Sequence, residues 1–458
     1  MTNWAPDLTR HPGPRYIAIA DVLARDIAAG RLKAGDRLPT HRDLAWKLGV
    51  TVGTITRAYA EAERRGLVAG EVGRGTFIRE PTIDTPPTPT ADDAFIDLAR
   101  NFPPSWRDNR EIADILAEIS RSNDLGSLLG YAPNLGLPSH REAGAQWIAR
   151  SGLSASSEQI AISNGAQHAM VVAISALTRP GDVVLAEQLT FYGLKSMASH
   201  LSLRLHAVAI DEFGLVPDAL DAACRLMAPK VLYCMPTLHN PTMTIMPEAR
   251  RREIAAICVR HGVTIVEDDI YGFLASDAPP ALANFAPDHT VLLTSLSKSI
   301  APGLRIGYLR ANATMIERIA SSLRATTWMA TPLMGEIATR LIRSGQADRM
   351  TRQMRDEAMA RQVIAARVLA GLDYDSHEAS FHVWLKLPEP WRREEFTQRL
   401  RRRGVGVAPA DLFAVGRGPV PHAVRIGLSA ARDHAQLERA LGIITEVLRE
   451  PSDSMPLV

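Results

Sequence analysis

One stretch near the N-terminus constrains this chain more than any other. From Glu80 to Asp93 the sequence reads EPTIDTPPTPTADD, with Pro81, Pro86, Pro87 and Pro89 and no periodic apolar face. Proline fixes φ and removes an amide donor, so such a run is extended and cannot join a packed core. A long surface loop inside one domain is one reading. A domain boundary fits better, because the two sides differ in character. Residues 1–80 carry 13 Lys and Arg against 9 Asp and Glu, a net of +4; residues 81–458 carry 39 against 41, a net of −2. The overall charge of +2 thus hides a basic head on a faintly acidic body. At 458 residues, about three times an ordinary domain of ~150, the chain has room for two or three domains. The expected division is a head at 1–80, a proline-rich linker at 81–94 and a body at 95–458.

Composition removes several classes. With 46% hydrophobic and 22% charged residues, the chain is not disordered, collagen-like or stapled by disulfides. No run approaches the ~18 to 20 apolar residues that span a bilayer, and the start lacks an apolar signal core, so a cytoplasmic protein with no membrane partner is expected. Cys224, Cys234 and Cys258 are too few and too scattered for a zinc site, and no metal is expected. Only six of the 52 basic residues are lysine, so a lysine doing covalent chemistry has few rivals.

Within the head, Ile17, Ile19, Ala20, Leu23 and Ile27 recur at helical spacing up to Gly30. After the turn KAGDRLP, Arg42–Leu48 reads as a short helix with Leu44, Ala45 and Leu48 inward, ended by Gly49. Thr51 is placed to cap a second helix through Arg65, with Ile55, Ala58, Tyr59 and Ala62 on one face. Leu67–Ala69 and Thr76–Ile78, on either side of EVGRG, read as a small hairpin. Two short helices joined by a glycine turn and followed by a hairpin make a winged helix-turn-helix. Over residues 13–79 the segment resembles the DNA-binding domain of GntR-type bacterial regulators, through its LP-x-x-R-x-LA, T-x-x-x-AY and GRGTF elements. The resemblance implies a double-stranded DNA operator as partner, with the second helix in the major groove offering Thr51, Thr54 and Arg57. Arg42 at the preceding helix start, and Arg74 beside Gly75 on the wing, would meet phosphate or the minor groove. Val52 stands where the family usually carries arginine, so no operator sequence follows.

Beyond the linker, apolar strands at Val183–Ala186, Leu205–Ile210, Val231–Met235, Thr264–Glu267 and Val291–Ser295 alternate with helices such as Gln167–Leu177 and Glu248–His261. This alternation predicts an α/β fold, a mostly parallel sheet covered on both faces, with ligands at the carboxyl ends of its strands. Lys33 and Lys47 lie in the head, Lys195 and Lys386 have surface contexts, and Lys230 opens a strand. Lys298, in TSLSKSIAPGLRIG, follows a buried strand among small hydroxylated residues. Asp268 and Tyr271 close the preceding strand in VEDDIY, and Asn240 follows another in YCMPTLHNPT. An acid, a phenol, an amide and a lysine at neighbouring strand ends suit a pyridinium cofactor. The carboxylate keeps the ring nitrogen protonated, and the lysine holds the aldehyde as a Schiff base.

Over roughly residues 95–450 the pattern resembles fold-type I aminotransferases, which have a large and a small lobe and bind pyridoxal 5'-phosphate. The resemblance implies that Lys298 is the Schiff-base lysine and Asp268 the partner of the pyridine nitrogen. Asn240 and Tyr271 would meet the ring's phenolic oxygen, and Phe191 would stack on the ring. Gly165, Ala166 and Gln167, at a helix start, would hold the phosphate with Ser295 and Arg305. Tyr131 would reach the phosphate of a second copy, and Arg425 would grip a substrate or effector carboxylate. Met243 replaces a usual glycine and Phe191 a frequent tyrosine; neither change removes a necessary group.

A winged helix tethered to such a body resembles the MocR subfamily of GntR-type regulators over nearly the whole chain. The function it implies is a homodimeric, cofactor-binding transcriptional regulator that senses a small amino-containing effector, or pyridoxal phosphate itself, through Lys298. An active aminotransferase with an attached DNA-binding head is the alternative. A third reading makes the cofactor site a prop for the fold.

Overall fold

The computed structural model describes residues 4–6, 14–33, 35–64, 67–71, 75–78, 95–104, 110–416 and 418–451. The proline-rich run 80–93, Arg65 and the wing residue Arg74 lie outside the described residues. Two compact units divide the chain, Met1–Ala91 and Asp92–Val458.

In the first unit helices run Arg15–Ala28, His41–Leu48 and Val52–Arg64, and Val68–Glu71 pairs antiparallel with Gly75–Ile78. Local chemistry sets the bounds. Thr40 Oγ1 accepts from the Asp43 amide at 3.2 Å to open the second helix, and Gly49, at φ 62°, closes it. Thr51 Oγ1 accepts from the Thr54 amide at 3.2 Å at the start of the third. Ile19, Leu23, Leu44, Ile55, Ala58 and Tyr59 then form one buried core. Each buried leucine or isoleucine contributes about 1.5–3 kcal/mol. Gly75, at φ 119°, has a structural reason to be glycine: a Cβ there would lie 2.8 Å from Arg37 Nε.

In the second unit a seven-stranded sheet has the order Ile160–Ser163, Gly307–Arg310, Thr290–Ser295, Thr264–Asp268, Val231–Cys234, Val183–Glu187, Arg204–Val208. Only Gly307–Arg310 runs antiparallel to its neighbours. Val183–Glu187 and Thr290–Ser295 are buried at every residue, as a sheet covered on both faces requires. Alternate residues feed two cores. Val184, Ala186 and Val266 pack with the helix Ala166–Leu177, and Val183, Leu185 and Ile265 with the helix Glu248–His261.

The run Leu205–Ile210 is not one strand. Arg204–Val208 stays in the sheet, while Ile210–Asp211 turns back onto Gly214–Leu215. Asp211 Oδ1 accepts from the Phe213 amide at 2.8 Å and Gly214 takes φ 94°, which is turn chemistry overriding an apolar pattern.

The small lobe is an antiparallel sheet of Tyr374–Asp375, His382–Lys386, Ala423–Gly427 and Ala408–Pro409, packed with Arg393–Arg402 and His434–Arg449. The helix Gln346–Val368 belongs to both lobes, burying Ala347 and Met350 in a large-lobe core and Ala365 in the small-lobe core. Ile96–Asp97, the first strand after the linker, pairs with Val405–Gly406. Among the described residues no helix is long and apolar enough to cross a membrane.

Candidate functional site

The parallel sheet delivers its functional side chains just past the strand ends. Lys298 follows Thr290–Ser295, and its Nζ donates to the carbonyl of Asn101. Burial lowers the Lys298 amine to about 7, with the cations Arg425 and Arg305 adding to the effect. About half of it is then neutral, and nucleophilic, at neutral pH. Asp268 ends Thr264–Asp268 and accepts from the Tyr233 hydroxyl at 2.6 Å and the Ile270 amide at 3.2 Å. Burial nonetheless raises its carboxyl to about 7, because these neutral donors offset only part of the lost hydration.

Tyr271 lies three residues on, and its hydroxyl accepts from Asn101 Nδ2 at 2.8 Å. The same amide nitrogen sits 3.1 Å from His382 Nδ1. Burial, followed by the charges of Arg425 and Lys298, pushes His382 well below its ordinary value, so it is neutral. Arg425 is fully buried on the small-lobe strand Ala423–Gly427. It donates to Asn240 Oδ1 at 2.7 Å and to the Ala99 carbonyl at 2.6 Å, over the Phe413 ring at 4.8 Å. Its Nε and His382 Nε2 are buried with no partner among the described residues.

At the far end of the cleft Gly165 takes φ 84° and opens the helix Ala166–Leu177, which has no side-chain cap. The first-turn amides there are left for an anion. A Cβ on Gly165 would lie 2.6 Å from Arg305 Nη2, so only glycine admits the guanidinium this close. Arg305 Nη2 also donates to the Asn164 carbonyl at 3.0 Å. Ser295 Oγ donates to the Ile306 carbonyl at 3.0 Å and accepts from the Ser297 amide at 3.1 Å, shaping the turn between Lys298 and Arg305. A Cβ on Gly193 would strike both the Phe191 ring and Gln167, which places those two side chains together.

The cofactor and effector residues singled out in the sequence thus converge on one cleft, with one exception. Tyr131 stands 87% exposed, its ring 6.1 Å from that of Trp328, and touches none of the others. The sequence reading missed Asn101, His382 and Tyr233. Asn101 lies in DLARNFPP just after the linker, and His382 interrupts the otherwise apolar HVWL; neither carries a motif. On the head, Arg42, Thr51 and Arg57 are exposed and Thr54 half-buried. The Thr51 and Thr54 hydroxyls lie 2.9 Å apart.

Comparison with known proteins decides the family. Residues 93–444 match the class I and II aminotransferase family, and residues 15–78 match the gntR family of bacterial regulatory proteins. The chain is 31% identical to YdeF, an uncharacterized HTH-type transcriptional regulator of Bacillus subtilis, over 97% of each chain. The chain belongs to the MocR subfamily of GntR-type regulators. This MocR-type regulator is also 26% identical to PtsJ, a vitamin B6 salvage pathway transcriptional repressor of Salmonella typhimurium, over 91% of this chain and 94% of PtsJ. Its body has the fold of a kynurenine aminotransferase from Pyrococcus horikoshii, with a TM-score of 0.72 at 22% identity over 78% of this chain and 91% of that one.

Pyridoxal phosphate is the cofactor that membership of the class I and II aminotransferase family implies, and the residues present fit it. The cleft offers a primary amine lowered to about 7 and a buried acid whose hydrogen-bond partners are a phenol and an amide. It also offers an uncapped helix start beside an arginine, and two buried ring or guanidinium nitrogens without partners.

Proposed function

We propose that this transcription regulator senses an amino-containing effector, or pyridoxal phosphate itself, at Lys298, and that occupancy of that site sets its affinity for operator DNA. The observation that carries the reading is the Lys298 amine: buried, about half neutral near pH 7, and bonded to Asn101. The relationship to PtsJ supports the cofactor as one class of effector.

When bound, pyridoxal phosphate supplies an aldehyde that condenses with primary amines, above an electron-accepting ring. Lys298 is the group that ties it to the chain. Asp268 would keep a proton on the ring nitrogen, Tyr271 and Asn240 would meet the phenolic oxygen, and Phe191 would stack on the ring. The amides of Gly165, Ala166 and Gln167 hold the phosphate with Ser295 and Arg305. Tyr131 does so from a second copy, which makes the working unit a homodimer. Arg425 receives the effector's carboxylate as a two-pronged donor, releasing Asn240 and the Ala99 carbonyl.

A route to the head follows from Asn101. An effector amine that takes the place of Lys298 changes what Lys298 can donate to Asn101, only a few residues past the linker. The segment 95–104 follows the linker 81–94 in the chain, so a change at Asn101 lies where the body meets the tether to the head 1–80, for which Arg42, Thr51, Thr54, Arg57, Arg74 and Gly75 are the DNA contacts. Effector and operator affinities are then coupled reciprocally.

The cofactor half of this reading is tested by visible absorbance. Purified protein given pyridoxal phosphate gains a band that Lys298→Ala lacks. A wild type that stays colourless contradicts the site.

A further inference from the structure

Behind the cofactor cleft lies a second cavity of about 550 Å³, within the size range of small-ligand sites, about 300–1,000 Å³. It opens between the end of the strand Thr264–Asp268, the residues that follow Tyr271, and the first half of the interlobe helix Gln346–Val368. Successive side chains leave a strand on opposite faces, so where Asp268 serves the cofactor, Asp269 faces this cavity.

Four arginines and two aspartates line it. Arg251 is spent on the fold, donating to the carbonyls of Met246, Pro236 and Pro280 and to Thr237 Oγ1. Arg150 is held by Asp348 at 2.5 Å over the Trp147 indole. Arg352 and Arg355 remain, three residues apart and therefore neighbours on one helix face. Arg352 is exposed at the edge of the cavity. Arg355 donates through Nη2 to the Phe273 carbonyl at 2.6 Å, and its Nε is buried without a partner among the described residues. Burial, with Glu267 beside it, raises the Asp269 carboxyl, while Arg251 acts against the shift. The remaining walls mix apolar residues, among them Phe273, Ala275, Pro279 and Pro280, with the hydroxyl residues Ser151, Ser276, Thr294 and Thr351.

We propose that this cavity is a second ligand site, separate from the cofactor cleft, that takes a small organic carboxylate on a flat apolar body. The carboxylate lies against the Arg352 and Arg355 guanidinium groups, relieving two like charges on adjacent helix turns, and the body lies along the apolar wall that includes Phe273 and Pro279. The site does not depend on Lys298.

Benzoate is the probe, titrated calorimetrically into the full chain loaded with pyridoxal phosphate, with benzyl alcohol and inorganic phosphate as comparisons. Benzoate binds and benzyl alcohol does not. Arg355→Gln weakens benzoate by about tenfold or more, the effect of one charge-assisted hydrogen bond. Ser276→Trp, a change at an exposed lining residue that fills the mouth, weakens it similarly. Both variants keep the cofactor's visible band. The proposal is overturned if benzoate fails to bind, if it binds both variants as tightly as the parent, or if phosphate binds as tightly as benzoate. Loss of the visible band with benzoate binding retained would count against the cofactor reading alone.

Discussion

Replacing Asp268 with asparagine sets cofactor binding against stability. Burial raises the Asp268 carboxyl from 3.8 to about 7, and the hydrogen bonds from Tyr233 and Ile270 reverse only part of that. An acid whose folded-state value lies above its unfolded value destabilises the fold wherever it ionises. The penalty is absent below pH 3.8, grows between 3.8 and about 7, and is complete above about 7. At about 1.4 kcal/mol per pH unit, a window of about three units corresponds to about 4 kcal/mol in the cofactor-free protein. Asparagine escapes that penalty, but its single oxygen cannot replace both carboxylate oxygens, so one accepted bond is lost, at about 1 kcal/mol.

The expected result is a cofactor-free variant more stable than wild type by about 3 kcal/mol at pH 8. At pH 5.5, where the penalty is about half formed, the gain falls to about 1 kcal/mol. Urea unfolding of both proteins at the two pH values, followed by tryptophan fluorescence, measures the difference. Pyridoxal phosphate affinity moves the other way, because a neutral amide does not favour a protonated ring nitrogen. An advantage independent of pH, or a wild type more stable at pH 8, would refute the argument that Asp268 is held ready for a cation.

Three further outcomes follow from named contacts. Capture of pyridoxal phosphate by cofactor-free protein, followed by stopped-flow absorbance, should accelerate as pH rises through about 7 and then level; a rate still climbing near pH 10, where an ordinary lysine titrates, would contradict the buried amine. Gly165→Ala forces φ 84° on a residue with a Cβ and displaces Arg305, so cofactor affinity should fall about tenfold and stability by about 1–3 kcal/mol, read by absorbance titration and thermal melts. Arg42→Ala should weaken DNA binding similarly for all sequences and lower the salt slope by about one, measured by fluorescence anisotropy, with the cofactor's visible band unchanged.

Much of this was legible in the sequence because it is local. Gly49 and Thr51 mark helix ends within a residue or two of where they fall, and Ile19 and Leu23 recur at the helical period that buries them together. Short apolar runs followed by Asn240, Asp268 or Lys298 announce strand ends, which is where an α/β sheet presents chemistry. What the sequence hid is long-range. Asn101 meets Tyr271 across 170 positions and His382 across 281, and no periodicity links such partners. Gly75, read as part of a DNA-binding wing, also makes room for the Arg37 side chain, a reason visible only once the hairpin is folded. Arg425, read only as a carboxylate grip, already holds Asn240 and the chain at Ala99, so it links the small lobe to the strand ends. The second cavity depends on Arg355 and Phe273, which sit far apart in a sequence that gives neither a motif.

The central claim is that Lys298 couples an amine in the body to DNA at the head. The most direct measurement is operator affinity of the full-length protein, on DNA selected in vitro by that protein, with and without pyridoxal phosphate and a panel of amino acids. At least one combination should shift affinity by about fivefold or more, within the usual range of such couplings, and Lys298→Ala should bind the operator without that response. Unchanged operator affinity in every combination, together with rapid steady transamination of an amino acid, would contradict the account and leave an enzyme that happens to carry a DNA-binding head.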